Sequence, residues 1–263
     1  MKKTQLRKVP DFLPDDMRRF IGGAPLFDSS CSPEAKVYFI DKDCGYYLKQ
    51  AAKGSLEREA VMNAYFHSKL LAPEVLKYTT EDGRDWLLSA AARGEDLTCA
   101  EYLNDPKRLA IRYGEILRNL HETDYTGCPV MNRTEEYLVF ADKNYVNGTY
   151  DKDAFTPDSF GYRSAEEAYC VLAEGRKYLK SDTLIHGDYC LPNVMLDGWK
   201  NPTFIDLGNG GVSDRHIDLF WGVWTLFFNL KTNDYRDLFL DAYGRDKIDT
   251  DILRVVAAAE VFG

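Results

Sequence analysis

The segment that most constrains this chain is Leu184-Ile-His-Gly-Asp-Tyr-Cys-Leu-Pro-Asn-Val-Met-Leu-Asp-Gly-Trp-Lys-Asn-Pro-Thr-Phe-Ile-Asp-Leu-Gly208. Within it, Val194-Met-Leu196 and Thr203-Phe-Ile205 read as two strands joined by a turn containing Asp197-Gly198, a pair suited to tight hairpins. Such a hairpin carries Asn193 just before its first strand and Asp206 just after its second. Those positions share one end, because the strands run antiparallel, and adjacent strands lie roughly 5 Å apart. An amide oxygen and a carboxylate so placed, with Asp188 a few residues upstream, make a hard-oxygen nest suited to Mg2+ and its attached phosphates.

The rest of the chain supplies a frame for that segment. Lys36-Val-Tyr-Phe-Ile40 and Tyr46-Tyr-Leu-Lys49 flank a loop with Gly45 and read as a β-hairpin. Ser55 reads as the cap of a helix running to about Leu71, stopped by Ala72-Pro73. Runs at 74–78 and 86–89 complete a small antiparallel sheet. Residues 1–20 form a charged arm with a short helix near Pro14. Past Gly94 the periodicity turns helical, over 106–121, 165–180, 217–230 and 250–262. The expected fold is α+β and bilobal: a sheet-rich N-lobe over residues 1–90, a hinge over 91–94 and a mostly helical C-lobe over 95–263. The aromatic row Phe220, Trp221, Trp224, Phe227 and Phe228 reads as core by its helical spacing.

The residue types fit one chemistry. Phosphoryl transfer asks a protein for metal ligands, a cation on the phosphates, and a carboxylate to orient the attacking hydroxyl and accept its proton. His186-x-Asp188, then Asn193 after four residues, then Asp206 on a short strand is the protein-kinase spacing. Singly, these residues could be caps or turn formers; it is the set that points to a site. Lys49, ten residues before Glu59, would be an ordinary strand lysine on its own. His186 and His121 read as structural rings, and Asp218 as a group bonding the backbone around Gly187 and Asp188.

On these residues the chain resembles the aminoglycoside phosphotransferases, most closely the 3′-phosphotransferase branch. His186-Gly-Asp-Tyr-Cys-Leu-Pro-Asn193, Phe204-Ile-Asp-Leu-Gly208, Gly211-Val-Ser-Asp-Arg215 and Asp218 carry the likeness. Ser32-Pro33, Ala35-Lys-Val-Tyr38, Tyr47-Leu-Lys49, Leu56-Glu-Arg-Glu59 and the tail Ala259-Glu-Val-Phe262 extend it from about residue 30 to the end. The resemblance implies a protein-kinase-like fold and ATP or GTP as co-substrate with Mg2+. It implies Asp188 as the catalytic carboxylate facing the substrate hydroxyl, with Asn193 and Asp206 as metal ligands. Lys49 would grip the α- and β-phosphates, positioned by Glu59. Tyr47 would stack on the base, on the same strand face as Lys49, with Ile205 closing the other side. The backbone near Ala90 and Ala92 would pair with the adenine edge, and the loop at Ser30 and Ser32 would cover the phosphates in place of a Gly-rich loop.

For the substrate, the resemblance implies a cationic antibiotic phosphorylated on a hydroxyl, its ammonium groups met by acids. Asp151, Asp153, Asp158 and Glu260 are the candidates beside Asp188, with Glu166 and Glu167 nearby. A solvated surface charge is the plainer reading of each acid taken singly. Two departures bear on the substrate: Asn209 stands where the family often has arginine, and Ala259 where it often has a second acid. The formal charge of −9 argues against a nucleic-acid partner. The longest apolar-rich run, 219–230, is too short for a membrane helix, and the basic N-terminus lacks the apolar segment of a secretory signal. Six scattered cysteines fit free thiols in the cytoplasm. A monomer or weak dimer is expected. A kinase of another small alcohol (amino alcohol, sugar or macrolide) and a non-catalytic nucleotide-binding module are the alternatives.

Overall fold

The computed structural model describes residues 3–31, 33, 35–150 and 161–263. From the N-terminus run β1 (Thr4–Gln5), α1 (Asp15–Ile21), β2 (Leu26–Asp28), β3 (Lys36–Ile40), β4 (Tyr46–Ala52), α2 (Glu57–Ser68), β5 (Val75–Glu81) and β6 (Arg84–Ala90). There follow β7 (Glu95–Asp96), α3 (Ala100–Leu103), α4 (Pro106–His121), α5 (Arg133–Asn147), α6 (Ala165–Gly175) and β8 (Thr183–Ile185). The chain ends with β9 (Val194–Asp197), β10 (Lys200–Phe204), β11 (Gly211–Ser213), α7 (His216–Leu230), α8 (Arg236–Tyr243) and α9 (Thr250–Glu260). Two compact units result: Met1–Gly94 with Met195–Gly208, and Glu95–Val194 with Asn209–Gly263. The first thus includes most of the β9–β10 hairpin, which the sequence reading kept with the helical part.

The first unit is an antiparallel sheet in the order β1-β2-β3-β4-β6-β5. Its strands alternate faces, as a period of two requires. Ile40, Leu48, Trp86 and Leu88 point to one face and pack with Met17 and Ile21 of α1. Ala51 and Leu87 point to the other, against Leu56 and Ala60 at the start of α2. Tyr47 and Lys49 share the face that α2 covers. Helix α2 begins at Glu57 and takes no side-chain cap from Ser55. Instead the buried carboxylate of Asp85, on β6, accepts from the Leu56 N–H at 3.0 Å. A cap supplied from 29 residues away leaves no local signature. The hairpin is tied in through Phe204, whose N–H donates to the Leu71 carbonyl at 2.8 Å and whose ring meets Phe66 edge-on at 6.1 Å.

The second unit is helical. Asp105 caps α4 by accepting from Arg108 N–H, with Pro106 at the first helical position. Leu109, Tyr113, Ile116, Leu117 and Leu120 form its buried stripe. Helices α5, α6, α7 and α9 share a core that includes Tyr137, Ala141, Ala168, Leu172, Ile217, Val256 and Phe262. Strands β8 and β11 pair antiparallel, Ile185 opposite Gly211. Helix α5 escapes the sequence reading because it buries only Thr134, Tyr137 and Ala141, too few apolar positions to show a period. The aromatic row on α7 corrects that reading in part, since Phe220 and Trp221 do pack against the core and the rest of the row does not share it. Ile217, Leu219, Gly222, Thr225 and Leu226 are the buried side of the helix, while Phe220, Trp221 and Trp224 are half-buried and Phe227 and Phe228 exposed. Among the described residues no helix is long and apolar enough to cross a membrane.

Candidate active site

In the first unit, three charged residues from three elements meet. Lys49 on β4 places its Nζ 2.7 Å from Glu59 Oε2 of α2 and 2.9 Å from Oδ1 of Asp206, just past β10. Burial works against the Lys49 ammonium, but the two carboxylates outweigh it and hold its pKa above the ordinary lysine value. Burial raises the pKa of Glu59, an effect that Lys49 only partly offsets. One cation between two carboxylates leaves a surplus negative charge. Asp206 adopts φ +60°, a left-handed conformation that Asp tolerates better than most residues. Its side chain is 52% exposed, so the surplus faces solvent.

Around this triad, Tyr47 packs on Phe39 with ring centroids 5.2 Å apart, and Ile205 is half-buried next to Asp206. The Ala90 N–H donates to Glu74 O and the Ala91 N–H to Gly45 O. The backbone donor that this edge leaves for a base is therefore that of Ala92. Ser30 shapes its own loop: its N–H donates to Asp28 Oδ1 at 2.9 Å and its Oγ accepts from Val37 N–H at 3.0 Å. Ser32 lies outside the described residues. Gly94, at φ +84°, closes this unit's chain against the hairpin, where a Cβ would meet the Leu196 carbonyl oxygen at 1.9 Å.

In the second unit, the loop after β8 is braced from behind. The fully buried Asp218 of α7 accepts from the N–H groups of His186 and Gly187, each at 2.7 Å. It also contacts His121 Nε2 at 3.1 Å, while His121 Nδ1 meets the Tyr243 hydroxyl at 2.8 Å. Burial pushes the His121 pKa down, so the ring is neutral near pH 7. Because a carboxylate only accepts, Nε2 carries the proton and Nδ1 accepts from tyrosine. Gly187 has φ +83°, and a Cβ there would lie 2.0 Å from the Asn209 carbonyl oxygen. Any other residue would push the loop off its seat. The hydroxyls of Tyr113 and Tyr189 donate to each other's carbonyls at 2.6 and 2.8 Å, respectively, with the rings stacked at 4.4 Å. Thr225 Oγ1 accepts from the Leu191 N–H.

That bracing presents Asp188 and Asn193. The Asn193 Nδ2 donates to both the carbonyl and Oδ2 of Asp188, at 3.0 and 2.8 Å. With the amide nitrogen so engaged, the Asn193 oxygen is the end left for a hard cation. Among the described residues no three His, Cys, Asp or Glu side chains cluster as a metal site. An Mg2+ ion held partly by nucleotide phosphates needs only one or two protein oxygens; the second unit offers the Asn193 amide oxygen, and the first unit, taken by itself, offers the exposed Asp206 carboxylate.

Glu260, at the end of α9, accepts from the Tyr137 hydroxyl at 2.8 Å and from the Trp221 indole. Burial lifts its pKa to about 7, with the Asp188 charge adding to the rise and Arg133 opposing it. Asp151, Asp153 and Asp158 lie outside the described residues. Glu167 serves the start of α6: its N–H donates to Ser164 Oγ and its carboxylate accepts from Arg163 N–H. Tyr137, Trp221 and Arg133 were not legible as site residues. Arg133 Nε donates to the Asn209 carbonyl at 3.1 Å and its Nη2 to the Asn209 side-chain oxygen at 3.3 Å. The missed signal is a spacing, Arg133 and Tyr137 four apart on one face of α5.

Comparison with known proteins gives a consistent result. The model of a phosphotransferase enzyme family (APH) matches residues 28–255. A probable aminoglycoside 3'-phosphotransferase of Lactococcus lactis is 47% identical over 98% of this chain and 98% of its own length. An aminoglycoside 3'-phosphotransferase of Niallia circulans is 32% identical over 79% of each chain. Among solved structures, a type VIII aminoglycoside-3'-phosphotransferase superposes with a TM-score of 0.73 at 23% identity, covering 95% of this chain and 98% of that one. Aminoglycoside phosphotransferase APH(3'')-Id from Streptomyces rimosus gives 0.75 at 20% identity, covering 94% and 95%. At those identities the structural likeness shows the fold, which is the kinase-like α+β architecture anticipated from the sequence.

Proposed function

The chain belongs to the phosphotransferase enzyme family, and from that premise we propose that it transfers the γ-phosphoryl group of ATP or GTP to a hydroxyl of an aminoglycoside antibiotic, conferring resistance. The observation that carries the reading is the Asp188 loop: a half-buried carboxylate aligned by Asn193 and mounted, through two 2.7 Å bonds, on the buried Asp218. The names of the relatives favour the 3′-hydroxyl.

Lys49 holds the α- and β-phosphates and Glu59 keeps its ammonium in place. Tyr47 and Ile205 take the two faces of the base, Ala92 its edge, and the Ser30–Ser32 loop the phosphates. Asn193 and Asp206, each a hard-oxygen donor on its own unit, would be the protein ligands of Mg2+, which would supply charge neutralisation on the phosphates. Asp188 orients the acceptor hydroxyl. As the acceptor oxygen bonds to the γ-phosphorus, the bond from that phosphorus to the bridging oxygen breaks. The hydroxyl proton passes to Asp188, and the nucleoside diphosphate leaves with the bond's electrons. Residues 91–94 serve as the hinge. Glu260, with Asp151, Asp153 and Asp158, meets the acceptor's ammonium groups. The six thiols fit the reducing cytoplasm, where the enzyme acts as a monomer or weak dimer.

The test is nucleotide consumption by purified protein with ATP or GTP against kanamycin-type, macrolide and amino-alcohol acceptors. Turnover confined to the kanamycin type is expected. Turnover only with another class would replace the proposed acceptor, and nucleotide binding without turnover on any would leave a binding module.

A further inference from the structure

Helix α7 does two different things on two flanks. At about 100° per residue, Asp218 and Thr225 fall on one side, where they hold the His186–Leu191 loop. Trp221, Trp224 and Phe228 fall together on a neighbouring flank. Their rings form a continuous row, Trp221 to Trp224 at 5.4 Å and Trp224 to Phe228 stacked at 5.0 Å with planes 11° apart. The row leaves the core along its length: Trp221 is partly buried and packs against the helical core, Trp224 is partly buried, and Phe228 is 52% exposed. It starts at Glu260, to which the Trp221 indole donates and on which the Asp188 charge is felt. It ends at Lys231, whose Nζ lies 4.2 Å over the Phe228 ring. The row thus begins at buried carboxylate and ends at a cation that already occupies its last ring.

We propose that Trp221 and Trp224 form a stacking platform for the amino-sugar rings of the acceptor, with an ammonium group on Glu260 at the head of the row. The inference rests on the acceptor reading above. The C–H face of a pyranose or cyclitol ring lies against indole, and an ammonium substituent gains from the ring face. Carboxylates at the head and a lysine at the far end give the platform a direction: positive groups of the acceptor gather toward Glu260 and avoid Lys231. Because the same helix carries Asp218 and Thr225, a ring seated on the platform is held in fixed relation to the loop that presents Asp188.

The test is the Trp224→Ala variant, with Trp224→Phe as the conservative control and Val146→Ala, at an exposed site on α5, as the neutral one. For Trp224→Ala we expect the KM for kanamycin to rise about 10-fold, with kcat and the KM for ATP little changed. Trp224→Phe should restore most of the affinity, and Val146→Ala should match wild type. Titrating kanamycin should quench wild-type tryptophan emission and quench that of Trp224→Phe to a smaller extent, through Trp221 alone. An unchanged acceptor KM, or equal losses in acceptor KM, nucleotide KM and kcat, would overturn the platform. So would a wild-type dimer that Trp224→Ala dissociates while the acceptor KM stays the same, since the row would then be a contact between copies. Failure of the acceptor reading looks different: no turnover of any amino-sugar acceptor by wild type. Quenching without turnover would remove that reading and keep the platform; absence of both would remove both.

Discussion

The Lys49–Glu59–Asp206 triad and the His186–Asn193 loop are held by opposite means. The triad is a set of ionic contacts among three side chains from separate elements, with Lys49 21% and Asp206 52% exposed. The loop is fixed through its backbone, by buried Asp218, by the Tyr113–Tyr189 exchange and by a glycine seat that admits no Cβ. Ionic contacts among long, partly exposed side chains exchange partners at little cost, whereas a buried carboxylate bonded to two N–H groups is expensive to disturb. The difference suits two tasks. On the proposed function, a polyphosphate would displace one carboxylate from Lys49 as it binds, while Asp188, proposed to take the proton, would stay where it is.

Removing the reactive group of the fixed region should have the largest effect. Asp188→Asn is expected to lower kcat by at least ~10²-fold with nucleotide KM nearly unchanged; near-normal turnover would refute its role. In the adaptable region, Lys49→Ala should instead raise the KM for ATP by about 10-fold or more. If it lowered kcat alone, the contrast between the two regions would fail.

The smallest effect concerns pH. Burial places the Glu260 pKa at about 7 against an ordinary 4.5, so the folded chain binds more protons than the unfolded one between those values. Wild type therefore loses stability as pH rises from 4.5 to 7, by about 3 kcal/mol at most. Glu260→Gln, which does not titrate, should gain in Tm relative to wild type over that interval and hold the gain above it. A pH-independent difference in Tm would contradict the assignment. A cationic acceptor favours the ionised form, so its KM should fall as pH rises through 7 in wild type but not in the variant.

What was legible in the sequence follows the same division. Lys49, Glu59, Asp188, Asn193 and Asp206 announce themselves because turns and strand parity fix their spacing within short segments. The Glu260 surroundings do not, since Tyr137, Trp221 and Arg133 reach it from α5 and α7 only through the packing of helices distant in sequence. The cap of α2 failed for that reason too: Asp85 on β6 binds the Leu56 N–H in place of the adjacent Ser55. The aromatic row misled in another way. Helical spacing shows that residues share a flank of α7, and says nothing of whether that flank is covered.

The most direct test is the product itself. Wild-type protein, ATP, Mg2+ and kanamycin should yield a sugar phosphomonoester detectable by 31P NMR, one per nucleotide consumed, and Asp188→Asn should yield almost none while still binding ATP. Inorganic phosphate as the sole phosphorus product, or an equal yield of phosphomonoester from the variant, would contradict the account.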